Sequence, residues 1–224
     1  DSEGFTNIST PKITAAGVES GAEMFAVKYF NKEAFLSQSP QIYKQMMVAA
    51  GFEKVYEIGT VFRAEKSHTT RHVTEFTGVD MEMGFIKDMG DVMDAVEKLF
   101  IHIINYVNKN STKDLETLKI ELTPPKNIPR ITMQEAKKLL AGKGKKLSEK
   151  EDLDSEAESI LGEIIAEKHN SNFVFVTNYP WSIRPFYHMK PEGDNEGTCS
   201  FDLIWNGVEI ATGAQREHRY DVLK

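Results

Sequence analysis

The stretch VFRAEKSHTTRHVTEFTGVDMEM, residues 61–83, decides how we interpret this chain. Two apolar, alternating segments flank a polar and basic loop, which is the pattern of two strands joined by a long turn. On the second strand a two-residue period separates a polar face from an apolar face. The polar face carries Phe76, Gly78, Asp80 and Glu82. The apolar face carries Val79, Met81 and Met83, and we expect it to pack against the core.

The same stretch places arginines beside an aromatic ring. Arg63 and Arg71 lie on either side of the loop, and Phe76 follows shortly after. A nucleoside triphosphate needs such a set, because cations bind its phosphates and a flat ring stacks on its base. The alternative from this segment alone is a solvated hairpin with surface ion pairs.

Composition indicates an ordinary globular protein. The chain has 224 residues, 40% hydrophobic content and a net charge of −7, so no global basic field favours nucleic acid. The single Cys199 argues against a disulfide framework and a four-cysteine zinc site, and it suggests a reducing compartment. No apolar run approaches the roughly 20 residues of a membrane span, so we expect a cytoplasmic protein without membrane contact.

The order of elements predicts an α+β fold with a mainly antiparallel sheet flanked by helices, because strands and helices do not alternate regularly. We divide the chain into a core at 1–108, a helical insertion or connection at 109–180, and further core strands at 181–224. Ser39 is predicted to cap a helix that begins at Pro40 and ends at Gly51. The chain lacks an initiator Met and closes on what reads as the start of a helix, so we expect a domain incomplete at both ends.

A second hairpin is predicted around Asn206-Gly207, the strongest short turn signal in the chain. A two-residue loop would pair Asp202 with Ala211 and place Asp202 and Glu209 on one face as diagonal neighbours. Two acids on one face repel each other unless a cation lies between them. Oxygen ligands of this kind suit Mg²⁺ carried by a nucleotide, and the alternative is a solvated acid pair at a sheet edge.

Three blocks in order resemble the class II aminoacyl-tRNA synthetases, and within them the aspartyl type of archaea and the eukaryotic cytosol. Residues 4–11 resemble the end of the first family motif, residues 62–76 the second, and residues 207–218 the strand and turn before the third. The resemblance implies a class II catalytic domain. It also implies that the third motif, the anticodon-binding barrel and the dimer-forming helix belong to sequence outside these residues.

The resemblance implies roles for the residues of the nucleotide site. Arg63 would be the catalytic residue, because it would grip the α-phosphate and the amino acid carboxylate. The other ATP-binding residues implied are Glu65 for the adenine amino group, Arg71 and His72 for the distal phosphates, Phe76 for the adenine ring, Val73 and Glu209. The implied metal ligands are Asp202, Glu209 and Thr212. Strict alternation places Thr212 on the face opposite Glu209, so we expect the backbone to bend near Gly213.

Residues 38–44 resemble the aspartate-binding helix start of the family. Lys44 and Arg216 would bind the side-chain carboxylate of aspartate, and asparagine would leave both cations uncompensated. The other aspartate-binding residues implied are Glu19, Ser39, Gln41, Arg63, Asp80 and Thr212. Glu19 is flanked by Gly17 and Gly21, as in a mobile loop that closes over a substrate, and it reads equally well as a surface acid.

The implied activity is that of a homodimeric aspartate–tRNA ligase. It would activate L-aspartate with Mg²⁺ and ATP and pass the product to tRNA(Asp), and the sequence leaves open whether tRNA(Asn) is charged as well. We expect the 224 residues alone to activate aspartate poorly or not at all. Two alternatives are an asparaginyl-tRNA synthetase and a non-catalytic, synthetase-derived nucleotide-binding fragment.

Overall fold

The computed structural model describes residues 1–15, 23–64, 73–193 and 196–224. These residues form two compact units, Asp1–Ile86 and Lys87–Lys224. Strands and helices do not alternate regularly along the described chain, as predicted for an α+β fold. The three-part division of the catalytic domain stays a prediction. Among the described helices, none combines the length and the apolar character that crossing a membrane requires.

The described residues of the first unit form two small sheets and one helix. Its elements are β1 (Thr6–Asn7), β2 (Ile13–Thr14), β3 (Ala26–Tyr29), β4 (Lys32–Leu36), α1 (Gln41–Ala49), β5 (Lys54–Phe62) and β6 (Glu75–Met83). One sheet has the order β1-β5-β6, and the other has the order β2-β4-β3. Strands β5 and β6 pair antiparallel along their whole length, which confirms the first predicted hairpin.

The prediction for the two faces of β6 is wrong. Val79 on the apolar face is 60% exposed, and so is Ile58, its partner on β5. The buried side is the polar one, where Val55 and Glu57 of β5 are 0% and 4% exposed. Helix α1 lies on this side, and its polar side chains pair with the acids of β6. Charged groups tolerate burial when they are paired, which explains why the face of β6 that carries the acids is the buried face.

Helix α1 begins one residue later than predicted. Its N-cap is Pro40, without a side-chain hydrogen bond to the cap position, so the prediction that Ser39 caps the helix is wrong. The Ser39 hydroxyl still accepts a hydrogen bond from the Gln41 N–H at 3.2 Å. The helix ends at Ala49, and Gly51 has a φ of +102°, as expected of a left-handed stop after a helix.

The second unit is a four-stranded sheet with helices. Its elements are α2 (Met89–Asn110), α3 (Thr112–Leu118), β7 (Arg130–Thr132), α4 (Met133–Gly142), α5 (Ser155–His169), β8 (Phe173–Thr177), β9 (Ser200–Trp205), β10 (Val208–Ala214) and α6 (Tyr220–Leu223). The strand order is β10-β9-β8-β7, and only the β7–β8 pair is parallel. One core joins α4 and α5 to the sheet through Leu140, Leu161 and Ile204, which are at most 1% exposed.

The hairpin at Asn206-Gly207 is confirmed. Both residues have positive φ angles, 49° and 73°, as a tight two-residue hairpin turn requires. Helix α5 approaches this turn closely, because a Cβ added to Gly162 would lie 2.6 Å from the Gly207 nitrogen. The turn is therefore fixed both by local backbone preference and by contact with α5.

We expect Gly207→Ala to lower the free energy of unfolding by about 3 kcal/mol, because it combines a strained φ with overpacking against α5. A Cβ at this position would lie 2.7 Å from the Ser159 Cα. Gly144→Ala is the matched control, since Gly144 has a φ of +90° and nothing within 4 Å of an added Cβ. The control should cost only about 1 kcal/mol. Denaturant unfolding measures both, and equal losses would contradict the close contact.

Candidate functional site

The first unit presents a lysine and two acids on the inner side of β6. Lys44, on the first turn of α1, is 3% exposed. Its ammonium lies 2.9 Å from Asp80 Oδ1 and donates to the Met81 carbonyl oxygen at 3.1 Å. The structure therefore brings together two of the residues predicted to bind an amino acid, with opposite charges side by side.

Glu82 joins this cluster and was not assigned a role from the sequence. It accepts a hydrogen bond from Gln41 Nε2 at 2.8 Å and lies 3.8 Å from the Lys44 ammonium. The two-residue period of the strand places Asp80 and Glu82 on the same face, so the sequence already indicated that Glu82 lies beside Asp80. Because Glu82 binds the amide nitrogen of Gln41, the amide oxygen of Gln41 is the end left to accept from a ligand.

Arg63 lies directly after β5, next to Phe76. Its guanidinium carbon is 5.4 Å from the centre of the Phe76 ring, and its backbone N–H donates to the Thr74 carbonyl oxygen. In the described part of the chain, the Arg63 Nε atom is buried and makes no hydrogen bond. A buried donor without an acceptor is costly, so an anion is the natural occupant of this position.

Several predicted residues lie outside the described residues: Glu19, Glu65, Arg71 and His72. Their roles stay predictions. Val73 is described and is 51% exposed, at the end of the loop that precedes β6.

The acidic pair of the second unit lies on β9 and β10, in a register that differs from the predicted one. Asp202 faces Thr212 rather than Ala211, because the register shifts between Glu209 and Ala211. The irregularity lies before Ala211 and not near Gly213, where we expected a bend. One extra residue in β10 reverses the alternation, so Thr212 shares a face with Asp202 and Glu209. The three predicted metal ligands are therefore on one side of the sheet.

Arg184 is the nearest cation to these acids and was missed from the sequence. Its guanidinium donates to Asp202 Oδ2 and lies 3.7 Å from the centre of the Tyr179 ring. Burial, and then the Asp202 carboxylate, raise the pKa of the Tyr179 hydroxyl well above its usual value. Residues 178–199 lie between two strands, and no local sequence period indicates which of their side chains reaches the sheet.

The electrostatics of this cluster favour a cation. Glu209 as a whole residue is exposed to solvent. Partial burial of its carboxyl group, followed by the charges of Asp202 and Glu158, nevertheless raises the pKa of Glu209 to about 7. The Oδ1 atom of Asp202 is buried and makes no hydrogen bond within the described residues. An unsatisfied carboxylate oxygen beside a second acid is the donor type that Mg²⁺ prefers, so the residues fit such an ion.

The fit is partial on the protein side. Among the described residues, no group of three or more His, Cys, Asp or Glu side chains could hold a metal ion. Mg²⁺ commonly takes one or two carboxylates and completes its octahedron with phosphate oxygens and water. The cluster suits a metal that arrives with a nucleotide better than a resident ion.

Arg216 lies beyond β10 in the second unit. Its guanidinium carbon is 4.6 Å from the centre of the Tyr187 ring, and its backbone pairs with His188 in an isolated bridge. The predicted sharing of one carboxylate by Arg216 and Lys44 stays a prediction.

The two units offer different chemical groups. The first unit offers a buried ammonium, a carboxylate and an unsatisfied guanidinium, which are groups that recognise an amino acid and a phosphate. The second unit offers carboxylate oxygens for a divalent ion. These described groups suit positioning and charge neutralisation.

Comparison with known proteins gives matches over the whole chain. A family model described as class II tRNA synthetases (D, K and N) matches residues 1–224. The aspartate–tRNA(Asp) ligase of Pyrococcus horikoshii is 49% identical over 223 residues, covering 99% of this chain and 51% of that protein. The aspartate–tRNA(Asp/Asn) ligase of Aeropyrum pernix is 50% identical over 222 residues, covering 98% of this chain and 50% of that protein.

A solved structure agrees with the fold. The asparaginyl-tRNA synthetase from Pyrococcus horikoshii, complexed with asparaginyl-adenylate, has a TM-score of 0.90 and 32% identity, covering 99% of this chain and 51% of that one. The chain thus spans about half the length of the curated relatives it matches.

Proposed function

Since the chain belongs to the class II tRNA synthetases of the D, K and N group, we propose that a full-length protein carrying it is an aspartate–tRNA ligase. The similarity to two aspartate–tRNA ligases, at 49% and 50% identity, supports this choice of amino acid. The fold alone does not separate aspartate from asparagine, because an asparaginyl enzyme has a TM-score of 0.90 with this chain. The choice therefore depends on the side chains of the pocket.

The observation that carries the proposal is the buried ammonium of Lys44 beside Asp80. A buried lysine binds the side-chain carboxylate of aspartate, with Arg216 as the second cation. Asp80, Ser39 and Gln41 hold the α-ammonium group, and Glu19 closes over the bound amino acid. Asparagine has no side-chain charge, so it cannot form the charge-assisted contacts that the aspartate carboxylate makes with these cations in a desolvated pocket.

The activation step is an in-line displacement at phosphorus. An oxygen of the aspartate α-carboxylate attacks the α-phosphorus of ATP, the bond to the bridging oxygen breaks, and pyrophosphate leaves. The nucleophile is already an anion, so this step needs no general base. Arg63 binds the α-phosphate, Phe76 stacks on the adenine with Val73 beside it, and Glu65, Arg71 and His72 complete the nucleotide site.

Asp202, Glu209 and Thr212 would hold Mg²⁺ together with the ATP phosphates. When bound, the ion would neutralise part of the negative charge of the phosphates. Arg63 supplies the same kind of charge compensation from the protein.

The activated aspartate then passes to a terminal ribose hydroxyl of tRNA(Asp), and tRNA(Asn) is a second acceptor to be tested. We further propose that the full-length protein is a cytoplasmic homodimer. The names of two relatives, a tRNA(Asp) ligase and a tRNA(Asp/Asn) ligase, support the choice of tRNA substrates.

Exchange of radioactive pyrophosphate into ATP tests the proposal on the full-length protein. We expect exchange that depends on L-aspartate and exceeds the exchange with L-asparagine by at least about 100-fold, in line with about 3 kcal/mol for the charge-assisted contacts that asparagine lacks. Exchange with asparagine alone would instead identify an asparaginyl-tRNA synthetase. Nucleotide binding without exchange would identify a non-catalytic relative.

A further inference from the structure

Arg184 is held more firmly than an ion-pair partner at a protein surface. Its side chain is 14% exposed and that of Asp202 is 6% exposed. The flat guanidinium lies on the ring of Tyr179, which is 1% exposed. A stacked, buried arginine has little freedom to leave its carboxylate, so the ion pair should persist when another cation approaches.

The ion pair uses only part of each group. Arg184 donates to Oδ2 of Asp202, whereas Oδ1 is buried and has no hydrogen-bond partner in the described part of the chain. Buried carboxylate oxygens are nearly always satisfied, so an unsatisfied one marks a place for a ligand. Because one oxygen is fixed by the arginine, the orientation of the other is fixed as well.

The neighbours of Asp202 on the sheet explain why a fixed orientation matters. The register brings Thr212 opposite Asp202, and Glu209 lies on the same face. Glu158 of α5 lies within hydrogen-bond distance of the Glu209 backbone N–H, at 3.4 Å. Three acids therefore face one region, and without a cation on the protein Asp202 would turn away from the other two.

We propose that Arg184 is a positioning residue for the divalent metal: it holds Asp202 by one oxygen and leaves the other oxygen for the ion. This inference rests on the proposed function, which supplies the metal as a companion of ATP. In this proposal Arg184 acts through Asp202, because a cation cannot itself be a metal ligand. Partners that orient a metal ligand commonly change metal affinity by 10- to 100-fold when they are removed.

The test is the affinity of the full-length protein for Mn²⁺ in the presence of a non-hydrolysable ATP analogue, measured by the electron paramagnetic resonance of free Mn²⁺. We expect Arg184→Gln to raise the Kd for Mn²⁺ at least about 10-fold. The KM for aspartate should stay within about twofold, because the acids that orient the metal do not bind the amino acid. An unchanged Kd for Mn²⁺ in Arg184→Gln would overturn the proposal.

Arg130→Gln is the matched control. Arg130 also pairs with an acid, Asp94, and lies over a ring, 5.7 Å from the centre of Phe175, in the same unit. It should leave the Kd for Mn²⁺ unchanged, and an equal increase in both variants would assign the effect to loss of structure and overturn the proposal.

Arg184→Lys keeps the charge but loses the flat face that lies on Tyr179. If Arg184→Gln does not fold, Arg184→Lys is the deciding variant. The proposal requires that the Kd of Arg184→Lys for Mn²⁺ be several-fold higher than that of the unchanged protein. The two hypotheses fail separately. A protein that activates no aspartate but loses Mn²⁺ affinity in these variants contradicts the proposed function alone, and active variants with unchanged Mn²⁺ affinity contradict this inference alone.

Discussion

Arg63→Ala is expected to lower the kcat for aspartate-dependent pyrophosphate exchange at least about 1000-fold, because charge stabilisation by one preorganised donor is worth 100- to 1000-fold and Arg63 contributes several donors. The structure supplies the physical reason, since the buried Nε of Arg63 has no acceptor among the described residues and its guanidinium lies over Phe76. A phosphate satisfies that donor, and the growing charge of the transition state binds it more strongly than the ground state does. The KM for aspartate should rise as well, because the same guanidinium is assigned to the α-carboxylate.

Two further variants give this prediction its controls. Arg63→Lys keeps the charge but loses the fork of donors, so its kcat should lie between those of the alanine variant and the unchanged protein. Lys54→Ala removes another cation that lies over a phenylalanine ring in the same unit, 5.6 Å from the centre of Phe5. Exchange by Lys54→Ala should be unchanged. If Arg63→Ala retained more than a tenth of the original kcat, Arg63 would not be the catalytic residue.

The sequence predicted those parts of the structure that depend on local preferences. The Asn206-Gly207 hairpin followed from the need for positive φ at two adjacent residues, and the stop at Gly51 followed from the same property at a helix end. The pairing of Lys44 with Asp80 was not predicted, although both residues had been assigned to the amino acid site.

The errors arose where distant segments decide the outcome. The inner face of β6 carries acids because α1 brings Lys44 and Gln41 against it, and this contact joins residues some forty positions apart. Strand periodicity alone favoured the apolar face, with Val79, as the buried one. The extra residue in β10 has the same origin, since α5 packs against the turn at Gly207 and the register shifts a few residues later. Alternation gives no sign of such a shift.

Arg184 shows a third kind of difficulty. It lies in an irregular segment without a period, so its sequence position says nothing about its partner. Only the folded chain places its guanidinium between Tyr179 and Asp202. The sequence placed the two acids on one face because a hairpin turn fixes their approximate spacing, but it gave no indication of the arginine that pairs with Asp202.

Lys44→Met is expected to remove the preference for aspartate. The lysine is 3% exposed, and the substitution removes the positive charge that binds the side-chain carboxylate of aspartate in a desolvated pocket. We expect kcat/KM for aspartate to fall at least about 100-fold, which corresponds to roughly 2.7 kcal/mol and lies within the usual cost of breaking a buried ion pair. The kcat/KM for asparagine should fall much less, so the ratio between the two amino acids is the quantity to measure.

The same substitution removes a partner from Asp80 and Glu82, which lie 2.9 Å and 3.8 Å from the ammonium. A loss of stability is therefore expected together with the loss of activity, and it must be separated from the change in specificity. Lys12→Met is the matched control, because Lys12 lies 3.0 Å from Glu57, an acid that is 4% exposed in the same unit. Both variants should unfold more easily, but only Lys44→Met should change the ratio of aspartate to asparagine activation. An unchanged ratio in Lys44→Met would show that the Lys44 ammonium does not select the substrate. A changed ratio in Lys12→Met would contradict the prediction as well, because a general loss of stability in the first unit would then explain the change.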